Sequence, residues 1–336
     1  MANVESNKIS YLHFIMSVLV ILIHSINNET KFERFFSMEY GIGQFAVPLF
    51  FMISGFLFFR NVSSMTDVKN KLKKRFHTLL IPYMLWNFIY YAIHLLLKPG
   101  NGLDIYELYN AVFNYSYNPA FWYVYQLILL SIASIVFIYI LKEKKYIIIF
   151  YIIMLAMILI DIDIPYINED AIIYYFTGAT FNKLYEKRKI DFINKKYFIF
   201  ALIISIMSFI LNRFAYHLVT NSLSFRTLFV LSIIVVRLSI SFLIFYLCDI
   251  IFNYRTVPKF MNHTFFLYAI HYAIVKAMII FMRYISYKYL PASTFLSIEI
   301  IVFVLSPVVC VIVNYYLSNY MIKNFNEAYN VLVGNR

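Results

Sequence analysis

With 336 residues, 62% of them hydrophobic and 14% charged, the chain lacks the charged surface of a water-soluble domain, which has about a quarter of its residues charged. Its net charge of +12 is carried by short segments between apolar runs. That pattern excludes a nucleic-acid-binding patch and marks topology instead.

The apolar runs, in chain order, are Ile9–Ile26, Gly41–Phe59, His77–Leu97, Ala120–Leu141, Tyr146–Ile164, Ala171–Leu184, Tyr197–Leu211, Leu228–Ile251, Phe265–Met282 and Thr294–Tyr320. Most approach the length of about 20 residues that one helix needs to cross a bilayer. They are continuously apolar rather than alternating, which predicts helices and not barrel strands. The first run reads as a retained helix and not a cleaved signal, because Asn27-Asn28-Glu29 follows it instead of small residues. With the N-terminus in the cytoplasm, 20 Lys and Arg fall in cytoplasmic segments and 7 in the opposite loops, with Arg237 and Lys276 inside spans. This bias puts both termini in the cytoplasm and requires an even number of helices. Cys248 and Cys310 lie in apolar runs without metal or redox spacing and read as small buried hydrophobes. No polar segment is long enough to fold alone, and no repeat pairs the two halves. The expectation is an all-α polytopic membrane protein of about ten transmembrane helices, one domain over residues 1–336. The abundance of Ile, Lys, Asn, Tyr and Phe fits the cell membrane of a bacterium with an AT-rich genome.

An ionisable group at bilayer depth costs about 3 kcal/mol on insertion scales and therefore marks candidate chemistry. His13 and His24 are eleven residues apart, so they share one helix face about 16 Å apart along the axis. The reading puts His13 near the cytoplasmic surface and His24 near the external one. Glu299 lies at a similar depth to His24 in the last run, where a carboxylate could orient the imidazole or simply join two helices. Arg237 lies near mid-membrane and calls for an ion-pair partner or a substrate. His271 and Lys276 share the ninth run, and the Lys276 stem could also snorkel to an interface. A basic stretch including Lys69, Lys71, Lys73, Lys74 and Arg75 runs into His77 and Leu79-Leu80-Ile81-Pro82-Tyr83. It reads as a positive-inside marker, and also as a phosphate-binding surface if a helix begins at His77.

Several of these stretches together resemble a known family. Ile9-Ser10-Tyr11-Leu12-His13 through His24-Ser25, Val47 to Phe56, Leu79 to Trp86, Phe121-Trp122-Tyr123, Tyr174 to Ala179, Thr264 to His271 and Gly334-Asn335-Arg336 follow the order of motifs in the integral-membrane acyltransferase family 3. The similarity covers essentially the whole chain. It implies ten core helices, cytosolic acyl-CoA as donor, acetyl-CoA most commonly, and a hydroxyl of an extracytoplasmic glycan as acceptor. Carried over, His24 is the catalytic histidine, His13 takes the place of its associated basic residue, and Lys73 to Arg75 face the CoA phosphates. Three positions depart from the family: His13 stands where Arg or Lys is common, Ser10 where an acidic residue is frequent, and Tyr125 where Arg is frequent.

The reaction so implied is acyl transfer from a thioester to a sugar hydroxyl, with His24 as general base and Glu299 orienting it. His13, Ser54, Lys73, Lys74, Arg75, Trp122, Tyr125, Arg237 and His271 are the candidate donor- and substrate-binding residues. No metal is expected, and the expected partners are membrane lipid and a glycan. The competing readings are a glycan exporter without chemistry, and a membrane sensor or scaffold. Exporters often show inverted repeats and Gly- or Pro-broken helices, whereas this chain shows no repeat and has only 7 Gly. The acceptor glycan and the choice between acetyl and succinyl are not encoded in these motifs.

Overall fold

The computed structural model describes residues 2–26, 42–98, 102–160, 162, 164–188, 195–218, 223–252, 256–289 and 295–335. Asn27-Asn28-Glu29 and Arg336 lie outside them. The described residues are helical, apart from turns, short 3-10 segments and one isolated bridge between Ile164 and Ile167. The protein is an all-α polytopic membrane protein. Among the described residues, seven helices are long and apolar enough to cross a membrane, and each of the ten apolar runs coincides with a helix.

Contacts divide the chain into two compact units that alternate along the sequence. The first comprises Met1–Leu12, Phe45–Lys71 and Leu129–Thr256, and the second His13–Gln44, Leu72–Ile128 and Val257–Arg336.

In the first unit, α2 (Ala46–Phe59) packs closely on α8 (Glu169–Arg188). Gly55 faces the Tyr175 carbonyl and Gly178 faces the Met52 carbonyl, so that a methyl at either position would run into backbone. Small residues let helix backbones approach where lipid supplies no hydrophobic drive. Around this pair, α7 (Lys144–Ile160) packs Phe150 on Phe176 at 4.2 Å and joins Tyr151 to Thr177 at 3.0 Å. The hairpin of α9 (Lys195–Leu218) and α10 (Leu223–Phe252) is joined by a 3.1 Å hydrogen bond from Asn212 to Ser232.

In the second unit, the stretch of α1 (Ala2–His24) from His13 onward lies against α11 (Thr264–Tyr289) and α12 (Phe295–Asn324). Phe14, Ile21, Leu267, Val275, Ile279, Val302 and Cys310 form a buried apolar cluster there. Phe14 meets Phe260, and ten residues later His24 meets His271, so α1 and α11 run in the same direction.

The basic stretch corrects the expected helix start at His77. It forms α3 (Met65–Arg75), which continues through a π-helical turn, Phe76–Leu80, into α4 (Ile81–Leu97). The start lies twelve residues earlier, at Met65, and is fixed by Ser64 and Asp67. The Asp67 backbone N–H donates to the Ser64 hydroxyl at 3.2 Å, and the Asp67 carboxylate accepts from the Ser64 N–H at 2.9 Å. This reciprocal arrangement satisfies N–H groups that a helix end leaves unpaired. The π turn precedes Pro82, which has no N–H to continue a regular ladder, and the Ile81 N–H bonds the Phe76 carbonyl. The short α13 (Asn326–Val333) ends at Gly334 with φ 69°, whose Cα sits against the backbone of Thr78 in the π turn. Trp86 of α4 also holds α13 by donating to the Leu332 carbonyl at 3.0 Å.

Candidate active site

The second unit brings two of the membrane histidines together. His24 closes α1, with its ring centre 5.3 Å from that of His271 and 5.5 Å from that of Tyr272. His24 is half-buried, whereas His271 is 1% exposed. His271 and Tyr272 lie about 10 Å along α11 from Thr264. His24 is therefore level with the first third of that helix.

The α11 turn that carries His271 is braced from outside. The carbonyl of Ala269 accepts from Tyr90 Oη at 2.8 Å and from Asn118 Nδ2 at 3.4 Å. Tyr268 Oη donates to the carbonyl of Ala120. His271 Nδ1 lies 2.6 Å from the carbonyl oxygen of Tyr268, and its Nε2 is buried with no hydrogen-bond partner among the described residues. Lys276, exposed further along α11, holds its ammonium 5.5 Å from the Tyr272 ring centre. Composition could not single out Tyr90, Asn118, Tyr268 or Tyr272. The only available signal was the i, i+3 spacing of Tyr268 and His271, which sets both on one helix face.

The other candidates fall elsewhere. Glu299 is buried in α12, with its Oε1 3.6 Å from the guanidinium of Arg283, so its identified ion partner is an arginine of α11. His13 is half-buried one turn before Ser17, whose hydroxyl bonds its carbonyl at 2.8 Å. Lys73 and Lys74 are exposed and Arg75 half-buried at the end of α3, directly before the π turn. Trp122 and Tyr125 are half-buried at the start of α6 (Trp122–Ile140), with Tyr125 centred 6.1 Å from Tyr83.

Ser54 and Arg237 belong to the first unit. Ser54 is buried in α2. Arg237 makes a 2.9 Å ion pair with Asp170 and approaches Tyr174 Oη at 3.5 Å, which supplies the partner that a mid-membrane guanidinium requires.

Chemically, the second unit presents a half-buried histidine backed by a fully buried one, together with a basic helix end on the same chain unit. Residues 7–315 match the family described as acyltransferase domain, acyltransferase 3. No curated protein matches the chain, and no solved structure does.

Proposed function

Because this chain belongs to the acyltransferase 3 family and transfers acyl groups, we propose that its donor is a cytosolic acyl-CoA, its acceptor a hydroxyl of an extracytoplasmic glycan, and its general base His24. The observation that carries this reading is the half-buried His24 residue, whose ring is held against His271 and Tyr272. A hydroxyl is a poor nucleophile at neutral pH, and a neutral imidazole with an outward lone pair suits the removal of its proton. As the acceptor oxygen attacks the thioester carbon, its proton passes to His24. The C–S bond then breaks and the thiolate leaves with that proton, giving an ester and free coenzyme A.

Lys73, Lys74 and Arg75 hold the donor phosphates, a role supported by the exposure of both lysines on one helical turn. The uncharged Tyr125 and the weakly basic His13 leave the phosphate contacts to this turn. Acetyl is the acyl group of the proposal, and the setting is the cell membrane of a bacterium.

The test uses purified protein in detergent with radiolabelled acetyl-CoA and membrane glycan. Label should enter the glycan, and His24→Ala should lower the rate at least a hundredfold while the protein remains folded. Full transfer by that variant would remove the assigned base. Replacing Lys73, Lys74 and Arg75 together with Ala should raise KM for the donor and leave kcat largely unchanged.

A further inference from the structure

We infer that His271 is the positioning residue of this site: its Nε2 accepts the N–H of His24, and so directs the other His24 nitrogen, lone pair outward, to the acceptor hydroxyl. The inference rests on His24 being the base proposed above.

The tautomer of His271 follows from its neighbour. Nδ1 lies 2.6 Å from the carbonyl oxygen of Tyr268, and a carbonyl can only accept, so Nδ1 carries the hydrogen. Nε2 then holds a lone pair. It is buried and has no hydrogen-bond partner among the described residues, an arrangement that proteins rarely leave without purpose. The ring of His24 stands 5.3 Å away at 46°, which leaves room for one N–H···N bond between facing nitrogens. A small rotation of the half-buried His24 completes it, since the sealed His271 is held by α11. The Tyr90 and Asn118 bonds to the Ala269 carbonyl hold that turn in place.

With one His24 nitrogen donating inward, the other must be the acceptor, which is the tautomer a general base needs. When His24 takes the hydroxyl proton, its inward N–H still points at the His271 lone pair and the positive charge is shared. The pair holds a single extra proton, because adjacent imidazolium ions repel. That proton leaves on the coenzyme A thiolate and restores the starting tautomers. Among the described residues, the titratable groups near the pair are Tyr268, Tyr272 and Lys276 of α11, Tyr90 of α4, and Cys310 of α12, whose Sγ lies 4.0 Å from the His271 carbonyl.

Two variants and one spectrum test this. In His271→Leu the acceptor is lost while an apolar side chain fills the site. We expect kcat to fall about a hundredfold with KM for acetyl-CoA unchanged. In His271→Gln an amide oxygen can accept from His24, and most of the rate should return. A packing role predicts the reverse order, since Leu suits an apolar site better than Gln. Nitrogen-15 NMR of histidine-labelled wild-type protein should show His24 in one tautomer and His271 Nε2 as a hydrogen-bonded acceptor. The inference fails if His271→Leu retains full kcat, if Gln is no better than Leu in folded protein, or if wild-type His24 populates both tautomers. Inactivity of His24→Ala with full activity of His271→Leu would sink this inference alone. Activity of His24→Ala would sink the base assignment, and the NMR result would still report on the hydrogen bond.

Discussion

His263 occupies the turn before α11 with φ 64°, a left-handed conformation that His and Asn tolerate better than most side chains. It is half-buried, with its ring 5.6 Å from that of Tyr329, and burial holds its pKa below the ordinary 6.5. A group whose folded pKa is depressed in this way binds fewer protons folded than unfolded. The stability linked to neutral His263 is thus fully present above about pH 6.5 and declines as pH falls below it. His263→Asn keeps the left-handed turn and removes the titration. Melting curves in detergent at pH 7.5 and 5.5 should show a smaller acid loss for the variant than for wild type.

The Arg237–Asp170 pair belongs to the same scale. Its side chains are 15% and 36% exposed, so part of its attraction is screened, but either partner alone would be a costly buried charge. Arg237→Met is expected to destabilise the protein by about 2 kcal/mol. Adding Asp170→Leu should recover much of that loss, as read by thermal denaturation. Arg237 was a candidate substrate contact in the sequence, where a lone mid-membrane cation has no visible partner. Asp170 lay just outside an apolar run, and only folding showed that the guanidinium reaches it.

Among the elements, the α2–α8 contact depends on two glycines that face each other's helices. Gly55→Ala or Gly178→Ala must push the helices apart, a cost of about 1–3 kcal/mol for overpacking. Gly102→Ala meets nothing within 4 Å and serves as the control in the same thermal assay. Gly334 is more constrained still, because it combines positive φ with backbone contact at Thr78, so Gly334→Ala should loosen α13 from the π turn.

The start of α3 carries its own signal in the sequence. Ser64-Met65-Thr66-Asp67 has the spacing of a capping box, yet the charge of the following residues suggested a loop up to His77. Ser64→Ala should cost about 1 kcal/mol and raise amide exchange over Met65–Arg75. The π turn had no comparable signal, because it depends on how Pro82 is accommodated within a helix that continues through it.

For the whole molecule, the distribution of Lys and Arg predicts both ends in the cytoplasm. Fluorescent-protein fusions at either terminus should fluoresce in intact cells, and alkaline phosphatase fusions there should be inactive.

Helix existence was legible because hydrophobicity over a continuous stretch is a local property, and a bilayer allows little besides helices to satisfy the backbone. Each of the ten apolar runs therefore became a helix, and the ordered motifs carried the family with them. Residue counting could also say that His24 and Glu299 lie at some depth in their helices. It could not say which helix faces of distant segments meet. Packing joined His24 to His271 and Tyr272, gave Glu299 an arginine neighbour, and set the level of the site along α11. The neighbours of a side chain are chosen by rotation and offset between helices far apart in the chain, and a one-dimensional pattern holds neither quantity.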